Sequence, residues 1–589
     1  MKKAFRCNGR LFIFRAMQQM NWEYREAPEQ QTVQELKQVL NINEILTGLL
    51  VQRGITTFEQ AKLYFRPSIH HLHDPFLMKD MDKAVQRLSQ AIQNNERIVV
   101  YGDYDVDGST SVSLVYSFLR RRHRNLGYYI PDRYREGYGI SEEGVRKAAN
   151  QGTNLIIALD CGINAHNNIA LANELGMNVI VCDHHRPKPE LPPAHAILDP
   201  KQADCQYPYK ELCGCGVGFK LLQGYCQASG MGWEELYEYL DLVAIATASD
   251  IVPITGENRV LAYHGLIKLG ESSRPGIIAL KEVAGLKDPL TITNIVFGIG
   301  PRINAAGRLE HAHRAVELLV CESMEKARKL ADEINTHNTS RKQLDQNITS
   351  EAIRFIEENE NLQDAHSTVL FNEAWHKGVI GIVASRCIEA YYRPTIILTG
   401  SGDKAVGSAR SVEGFDVFEA ISACSELLDR FGGHTHAAGL TLPIANIAAF
   451  QQRFEEVVSE TIEEESQIPV LSIDMPITLD RITDKFYRVL HQMEPFGPAN
   501  KEPVFVAENL SLAGKVWVMK DKHIKFDVQQ QGNNRRITAV GFGMRDNFEE
   551  MLNKGKNFRM AFTVDENIYR GRSSLQLLIK DIKEQEIPA

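Results

Sequence analysis

Three short apolar runs in this 589-residue chain each end in acid. Ile98-Val99-Val100-Tyr101 leads into Asp103, Asp105 and Asp107. Leu155 to Leu159 leads into Asp160, and Val179-Ile180-Val181-Cys182 leads directly into Asp183-His184-His185. Runs without polar alternation fit strands buried on both faces, the pattern of a parallel sheet covered by helices. The segments between them agree: the spacing predicts strand 97–101, helix 109–122, strand 155–159, helix 165–175, strand 179–182 and strand 195–198. Ligands of such sheets bind at the carboxyl ends of the strands. Each acid cluster falls at such an end, so three strands deliver carboxylates and imidazoles to one place.

The rest of the chain is too long to share that core, and three or four domains of about 100 to 200 residues are expected. Residues 31–95 read as short helices: Val33 to Leu40, Phe58 to Tyr64 and Asp82 to Asn94 have apolar residues at helical spacing. Residues 214–251 are again helical, with the apolar run Leu240 to Ala248 ending at Asp250. Residues 322–359 contain neither Pro nor Gly and predict one long connecting helix. A second α/β unit follows, with strands 367–371, 395–398 and 404–409, helices 378–390 and 416–429, and a loop at Gly432-Gly433-His434. After an acidic helix around 455–465, alternating segments at 516–519, 523–528, 536–542, 560–564 and 575–579 predict five strands of a small β-barrel.

Composition bounds the functions available. A hydrophobic fraction of 43% with 24% charged residues is that of a folded globular protein, which sets disorder aside. A net charge of −9 excludes a surface coated all over in nucleic acid and leaves room for local basic grooves. Residues 501–589 carry 15 Lys plus Arg against 12 Asp plus Glu, so that segment is positive in an acidic chain. Ten scattered cysteines do not make the dense framework of a secreted mini-domain, and a cytoplasmic protein is expected. Lys2, Lys3 and Arg6 precede an apolar stretch, Leu11 to Phe14, too short for a signal peptide or a membrane span; Met17 and Met20 are alternative starts to Met1.

The chemistry concentrates in a few motifs. Asp103-Tyr104-Asp105-Val106-Asp107-Gly108-Ser109 packs three carboxylates at a strand tip, and their mutual repulsion calls for cations unless the turn is simply solvated. Gly108 before an apolar helix favours a tight strand-to-helix turn. Asp160 alone reads equally as a helix cap, and Asp250 equally as a polar helix exit. In Asp183-His184-His185 the imidazoles suit a transition metal, and the neighbouring acid suits orienting a ligating ring. Oxygen ligands with one or two nitrogens and no obligatory thiolate favour Mn²⁺ or Mg²⁺ over structural Zn²⁺. Two such ions about 3.5 to 4 Å apart serve phosphodiester hydrolysis without a side-chain nucleophile. Cys213-Gly214-Cys215 lacks a second Cys-x-x-Cys and reads as a glycine turn before a helix rather than a zinc knuckle. Arg302-Ile303-Asn304-Ala305-Ala306-Gly307-Arg308, Gly407-Ser408-Ala409-Arg410-Ser411 and Gly432-Gly433-His434 offer phosphate contacts, with surface salt bridges or plain turns as the alternative.

Asp105-Val106-Asp107-Gly108, Asp160, Asp183-His184-His185, Asp250 and Gly433-His434-Thr435-His436-Ala437-Ala438-Gly439, in this order, resemble the motifs of the DHH phosphoesterase superfamily. Gly102 to Gly108, the Asn-Ala-Ala-Gly core of 302–308 and the length resemble its single-strand-specific 5′ to 3′ exonucleases, over about residues 75 to 580. The resemblance implies an α/β fold: two α/β domains, DHH and DHH-associated, joined by a long helix around a groove, plus a C-terminal OB-fold β-barrel. The division it suggests is a helical lead-in at 1–74, a DHH domain at 75–320, a connecting helix at 321–360, a DHH-associated domain at 361–460 and an OB-fold domain at 461–589. It implies that Asp103, Asp105, Asp107, Asp160, His184 and Asp250 hold two divalent cations, Mn²⁺ or Mg²⁺, with Asp160 bridging them and His185 at the metal or the scissile phosphate. Arg133, Arg302, Asn304, Arg308, Ser408, Arg410, Gly433 and His434 match positions that hold DNA. The activity implied is degradation of single-stranded DNA from the 5′ end to mononucleotides, in repair and recombination. A monomer working with single-strand-binding protein and a helicase, away from membranes, completes that picture. Trp517, Phe526, Phe542 and Tyr569 are candidate base-stacking residues, with barrel core as the alternative. A small-substrate phosphodiesterase and a scaffold with a degenerate site are the competing functions; the barrel counts against the first and the intact acid set against the second.

Overall fold

The computed structural model describes residues 20–133, 135–309 and 313–585, plus the backbone alone at 5–7 and 10–12; the side chains of Arg308 and Leu309 lie outside the described part. Packing divides the chain into two units, Glu59–Arg341 with Met493–Glu502, and Met1–Phe58 with Lys342–Gln492 and Pro503–Ala589. The segment 1–74, a lead-in on the sequence, is divided between these units after Phe58. Strand Asn21–Tyr24 pairs with Val470–Ile473, and the Trp22 indole donates to Asp581 at 2.7 Å. Helix Met324–Glu358 runs unbroken through residues 341 and 342, where the units meet in sequence.

The first unit holds a five-stranded, wholly parallel sheet in the order Leu126–Tyr129, Ile98–Gly102, Leu155–Leu159, Asn178–Cys182, Ala196–Leu198. Strand Leu126–Tyr129 was not foreseen, since its residues are only half-buried and carry no apolar run. The strand interiors are buried on both faces, as parallel pairing requires. Val100, Ile157 and Ile180 pack with helices Val106–Arg120, Gly214–Ala228 and Leu240–Ser249 on one side; Tyr101, Ile156 and Val179 pack with helices Glu142–Asn150 and His166–Glu174 on the other. Because chain order reverses beside Ile98–Gly102, a crevice is expected at the carboxyl ends of that strand and Leu155–Leu159.

Besides two-stranded pairings, the second unit contains a five-stranded and a seven-stranded sheet. One runs Arg430–His434, Ala437–Pro443, Lys404–Arg410, Thr395–Ser401, Thr368–Phe371, with only the last pair parallel. The expected helix 416–429 is interrupted: helix Val417–Ser422 ends early, and Gly432-Gly433-His434 lies in a strand rather than a loop. The other sheet closes on itself, since Phe505–Leu512 pairs with both Phe558–Tyr569 and His523–Gln530. The closed barrel therefore uses Phe505–Leu512 where the sequence suggested 516–519; Trp517–Met519 only extends the edge at His523–Gln530.

Candidate metal centre

Gly102, Leu159, Cys182 and Leu198 stand in register across four neighbouring strands. The next residue of each is an aspartate, so Asp103, Asp160, Asp183 and Asp199 line one edge of the sheet, and all four are buried. Asp199 escaped the sequence reading although Ala196-Ile197-Leu198-Asp199 repeats the pattern of the others. Strand 195–198 was expected there, but its acid stands alone before Pro200, with no second acid or imidazole beside it to mark a ligand cluster.

Helix geometry adds three more groups. Asp105 caps helix Val106–Arg120, accepting from the Gly108 amide at 3.0 Å. Asp107, in the first turn of that helix, accepts from the Gly214 and Cys215 amides at 2.6 and 2.8 Å, so it also sits at the start of helix Gly214–Ala228. The Cys-Gly-Cys turn thus serves the acid cluster directly. A Cβ on Gly214 would lie 2.5 Å from the Asp160 Cβ, so only glycine fits there. Asp250 ends helix Leu240–Ser249.

These elements converge on His184. Its Nε2 lies 3.2 Å from Asp160 Oδ1, 3.6 Å from Asp250 Oδ2 and 3.9 Å from Asp107 Oδ2. The ligand atoms of Asp107, His184 and Asp250 fall within 4.8 Å of one another, as do those of Asp160, His184 and His185. Asp160 Oδ1, Asp250 Oδ2 and His184 Nε2 are buried and accept or donate no hydrogen bond. Two carboxylates so close repel by about 3 kcal/mol even at an effective dielectric of about 20. Burial first, and Asp105 second, push Asp103 and Asp107 up; burial and then Asp107 do the same to Asp160 and Asp250. Burial drives His184 down to about 3, so its imidazole is neutral and cannot neutralise them. Orphaned, mutually repelling oxygens around a neutral imidazole fit divalent cations, and the oxygen-rich donor set fits Mn²⁺ or Mg²⁺.

Asp183 stands apart from the cluster. Its oxygens accept from the amides of Ile163, His184 and His185 and from His185 Nδ1 at 2.7 Å. Burial, the largest single influence, would raise its pKa, but the hydrogen bond and charge of His185 together with the Ile163 amide outweigh burial and hold it low. Against the same burial, Asp183 raises His185 to about 9. The acid therefore orients and charges His185 and has little left for a metal.

The expected phosphate contacts divide. Arg133 lies 4.9 Å over the Tyr104 ring, beside Asp103 and Asp105. In the other unit, Ser408 and Arg410 share a strand, with Arg410 Nη1 donating to Ser408 Oγ at 3.1 Å. Gly381, at the start of helix Ile380–Ala390, comes so near that a Cβ there would stand 2.9 Å from both side chains. Arg410, Ala437 and His434 stand in register across three strands, and Gly433 adjoins them. Asn304 is half-buried in helix Gly300–Leu309, and the side chain of Arg308 lies outside the described residues. Arg302 corrects the sequence expectation: its guanidinium donates to the Gly298 and Val283 carbonyls at 2.6 and 3.1 Å and to Asn335 at 3.0 Å. It is buried and its guanidinium is engaged within its own unit rather than offered as a free fork. Phe526 is likewise barrel core, edge-on to Phe558, whereas Trp517, Phe542 and Tyr569 are exposed.

Comparison with known proteins follows the same lines. The model of the DHH family's N-terminal domain matches residues 97–247, that of the DHHA1 domain matches 364–460, and that of the RecJ OB domain matches 473–581. The single-stranded-DNA-specific exonuclease RecJ of Bacillus subtilis is 38% identical over 571 residues, covering 96% of this chain and 71% of its own. The crystal structure of RecJ in complex with Mn²⁺ from Thermus thermophilus superposes with a TM-score of 0.82 at 26% identity, over 96% of this chain and 80% of that one. The same protein's Mg²⁺ complex shares the fold, with a TM-score of 0.77 at 24% identity, over 96% and 79%.

Proposed function

The chain belongs to the RecJ family of DHH phosphoesterases, and from that premise we propose that it is an exonuclease hydrolysing single-stranded DNA from the 5′ end to mononucleotides, in DNA repair and recombination. The observation that carries this reading is the trio of orphaned atoms, Asp160 Oδ1, His184 Nε2 and Asp250 Oδ2, delivered by three separate elements. Asp103, Asp105, Asp107, Asp160, His184 and Asp250 are the residues for two divalent cations, Mn²⁺ or Mg²⁺. Bound there, such ions lower the pKa of water to make a nucleophile and neutralise charge on the attacked phosphate.

The protein's own groups do the rest. Asp183 Oδ1 holds the proton on His185 Nδ1, so a cationic ring faces the site and favours an approaching phosphate. The amides of Gly214 and Cys215 fix both oxygens of Asp107, leaving it one orientation. Arg133, Asn304, Arg308, Ser408, Arg410, Gly433 and His434 are the proposed DNA contacts, with Trp517, Phe542 and Tyr569 as stacking surfaces on the barrel. Nine free, buried cysteines among the described residues support a reducing cytoplasm, and no helix among them is long and apolar enough to cross a membrane. A monomer acting with a helicase and single-strand-binding protein rests on the family resemblance alone.

The test offers 5′-labelled and 3′-labelled single strands, duplex, short oligonucleotides and pyrophosphate, each with Mn²⁺, Mg²⁺ or chelator. Mononucleotides released first from the 5′ end of long single strands, and none with chelator, are the expected result. Preferential turnover of dinucleotides or pyrophosphate overturns the reading.

A further inference from the structure

Asp199 is the last acid of the row along the sheet edge, and the six proposed ligands do not include it. Its carboxylate bends back instead: Oδ1 accepts from the Lys201 amide at 2.8 Å, the short loop that an aspartate closes on its own backbone. Gln202 ties the same turn from the other side, donating to the Ile197 and Asp199 carbonyls at 2.9 and 3.2 Å. Asp199 and Gln202 are both buried. Lys201 is therefore fixed at the lip of the sheet, one strand along from His184.

The Lys201 ammonium has little to do for the fold. Among the described residues its ion pair is with Glu211 at 3.7 Å, with 30% and 46% of the two side chains exposed, and such a pair is worth little. The charge faces the acids instead. Burial comes first in setting the pKa of Asp199, Asp250 and His184, raising the two acids and lowering the imidazole; as a smaller influence, the Lys201 ammonium lowers all three. A lysine there repels the very cations the site is built to hold. Such a charge helps only when an anion comes between, and a phosphodiester strand brings one with each nucleotide. At the opposite edge of the sheet, Arg133 borders a cavity of about 340 Å³ with Tyr104 and Tyr128, a volume that takes one small ligand. With the terminal nucleotide on that side, the rest of the strand passes Lys201.

We propose that Lys201 contacts the phosphate following the cleaved bond on its 3′ side, and that Asp199 is the positioning residue that aims it. The proposal rests on the nuclease reading above and adds what selects a strand that continues. A dinucleotide has no phosphate beyond the cleaved one, so it forgoes this contact, whereas every longer strand makes it. The contact reads charge and spacing rather than sequence, because the backbone is the same at every base.

Release of the first nucleotide with Mn²⁺ is compared for a 5′-labelled single strand and for the same strand with a neutral methylphosphonate at the second linkage. The wild type is expected to show a KM about 10-fold higher on the modified strand, with kcat changed by less than about 3-fold. Lys201→Gln should show the raised KM on both strands. Asp199→Ala, which frees the turn, should do the same, while Asp199→Asn, which keeps the accepting oxygen, should follow the wild type. Mn²⁺ should raise the thermal midpoint of each variant as it does that of the wild type, reporting an intact metal centre; if Asp199→Ala does not fold, Lys201→Gln and Asp199→Asn decide. A wild type indifferent to the neutral linkage overturns the proposal, and so does a Lys201→Gln variant that still distinguishes the two strands. A wild type that releases no nucleotide from the unmodified strand strikes at the nuclease reading instead, leaving the two failures distinguishable.

Discussion

Asp160 and Ile251 both hold the left-handed backbone conformation, at φ of 57° and 61°, and both adjoin the metal centre. Aspartate tolerates that region; a β-branched isoleucine does not, and the strain is on the order of 1 to 3 kcal/mol. Ile251 is 66% exposed, so its side chain gains little in return. Replacing Ile251 by Gly is expected to stabilise the folded protein by about 1 kcal/mol in denaturant melts; a loss of stability would show that the isoleucine packs more than its exposure suggests. Asp160→Ala should reduce nucleotide release at least about 100-fold while single-stranded DNA is still bound, measured by label release and by equilibrium binding. Substantial residual turnover would refute the ligand assignment. At this scale much was legible. Asp103, Asp107, Asp160, His184 and Asp250 were each visible as an acid or imidazole at the end of an apolar run. What the residues could not disclose was their division of labour: that Asp183 spends its oxygens on His185 and three amides is a matter of which neighbours surround it.

Arg302 shows what is lost between residue and element. Beside Ala305, Ala306 and Gly307 it looked like a phosphate fork, but the segment is helix Gly300–Leu309, and helical spacing puts Arg302 on the buried side with Ile303 and Ala306. Arg302→Gln strands the Gly298 and Val283 carbonyls and is expected to cost about 2 to 3 kcal/mol of stability, while leaving the salt dependence of DNA binding unchanged. A flatter salt dependence in that variant would return Arg302 to the DNA. The barrel errs in a related way: strand Phe505–Leu512 is broken by a bulge between Ala507 and Leu510, so its apolar residues do not alternate cleanly and the segment was passed over.

Across the whole molecule, the metal centre should control how stability depends on pH. Without cations the folded chain keeps protons on Asp107 to about pH 7 and on Asp250 to about pH 8, through burial and neighbouring carboxylates, whereas an unfolded aspartate titrates near 3.8. The folded state therefore binds more protons than the unfolded one, and stability falls as pH rises. His185, raised to about 9, acts in the same direction above its ordinary 6.5; His184, lowered to about 3, opposes only below 6.5. In chelator the thermal midpoint should fall between pH 6.5 and 8, and saturating Mn²⁺ should remove the fall, since each carboxylate that loses its proton becomes a better ligand. A profile the same with and without Mn²⁺ would contradict a cation site in this cluster. The sequence by itself determined the parallel sheet, the long helix, the terminal barrel and the acids at strand ends, because burial on both faces and helical periodicity are local and leave a direct trace in the order of residues. Only the tertiary structure decided that Gly214 presses on Asp160, that Asp199 completes the row of acids and that Arg302 faces inward. Each of these depends on contacts between residues far apart in the chain, and no local pattern encodes which distant backbone will arrive.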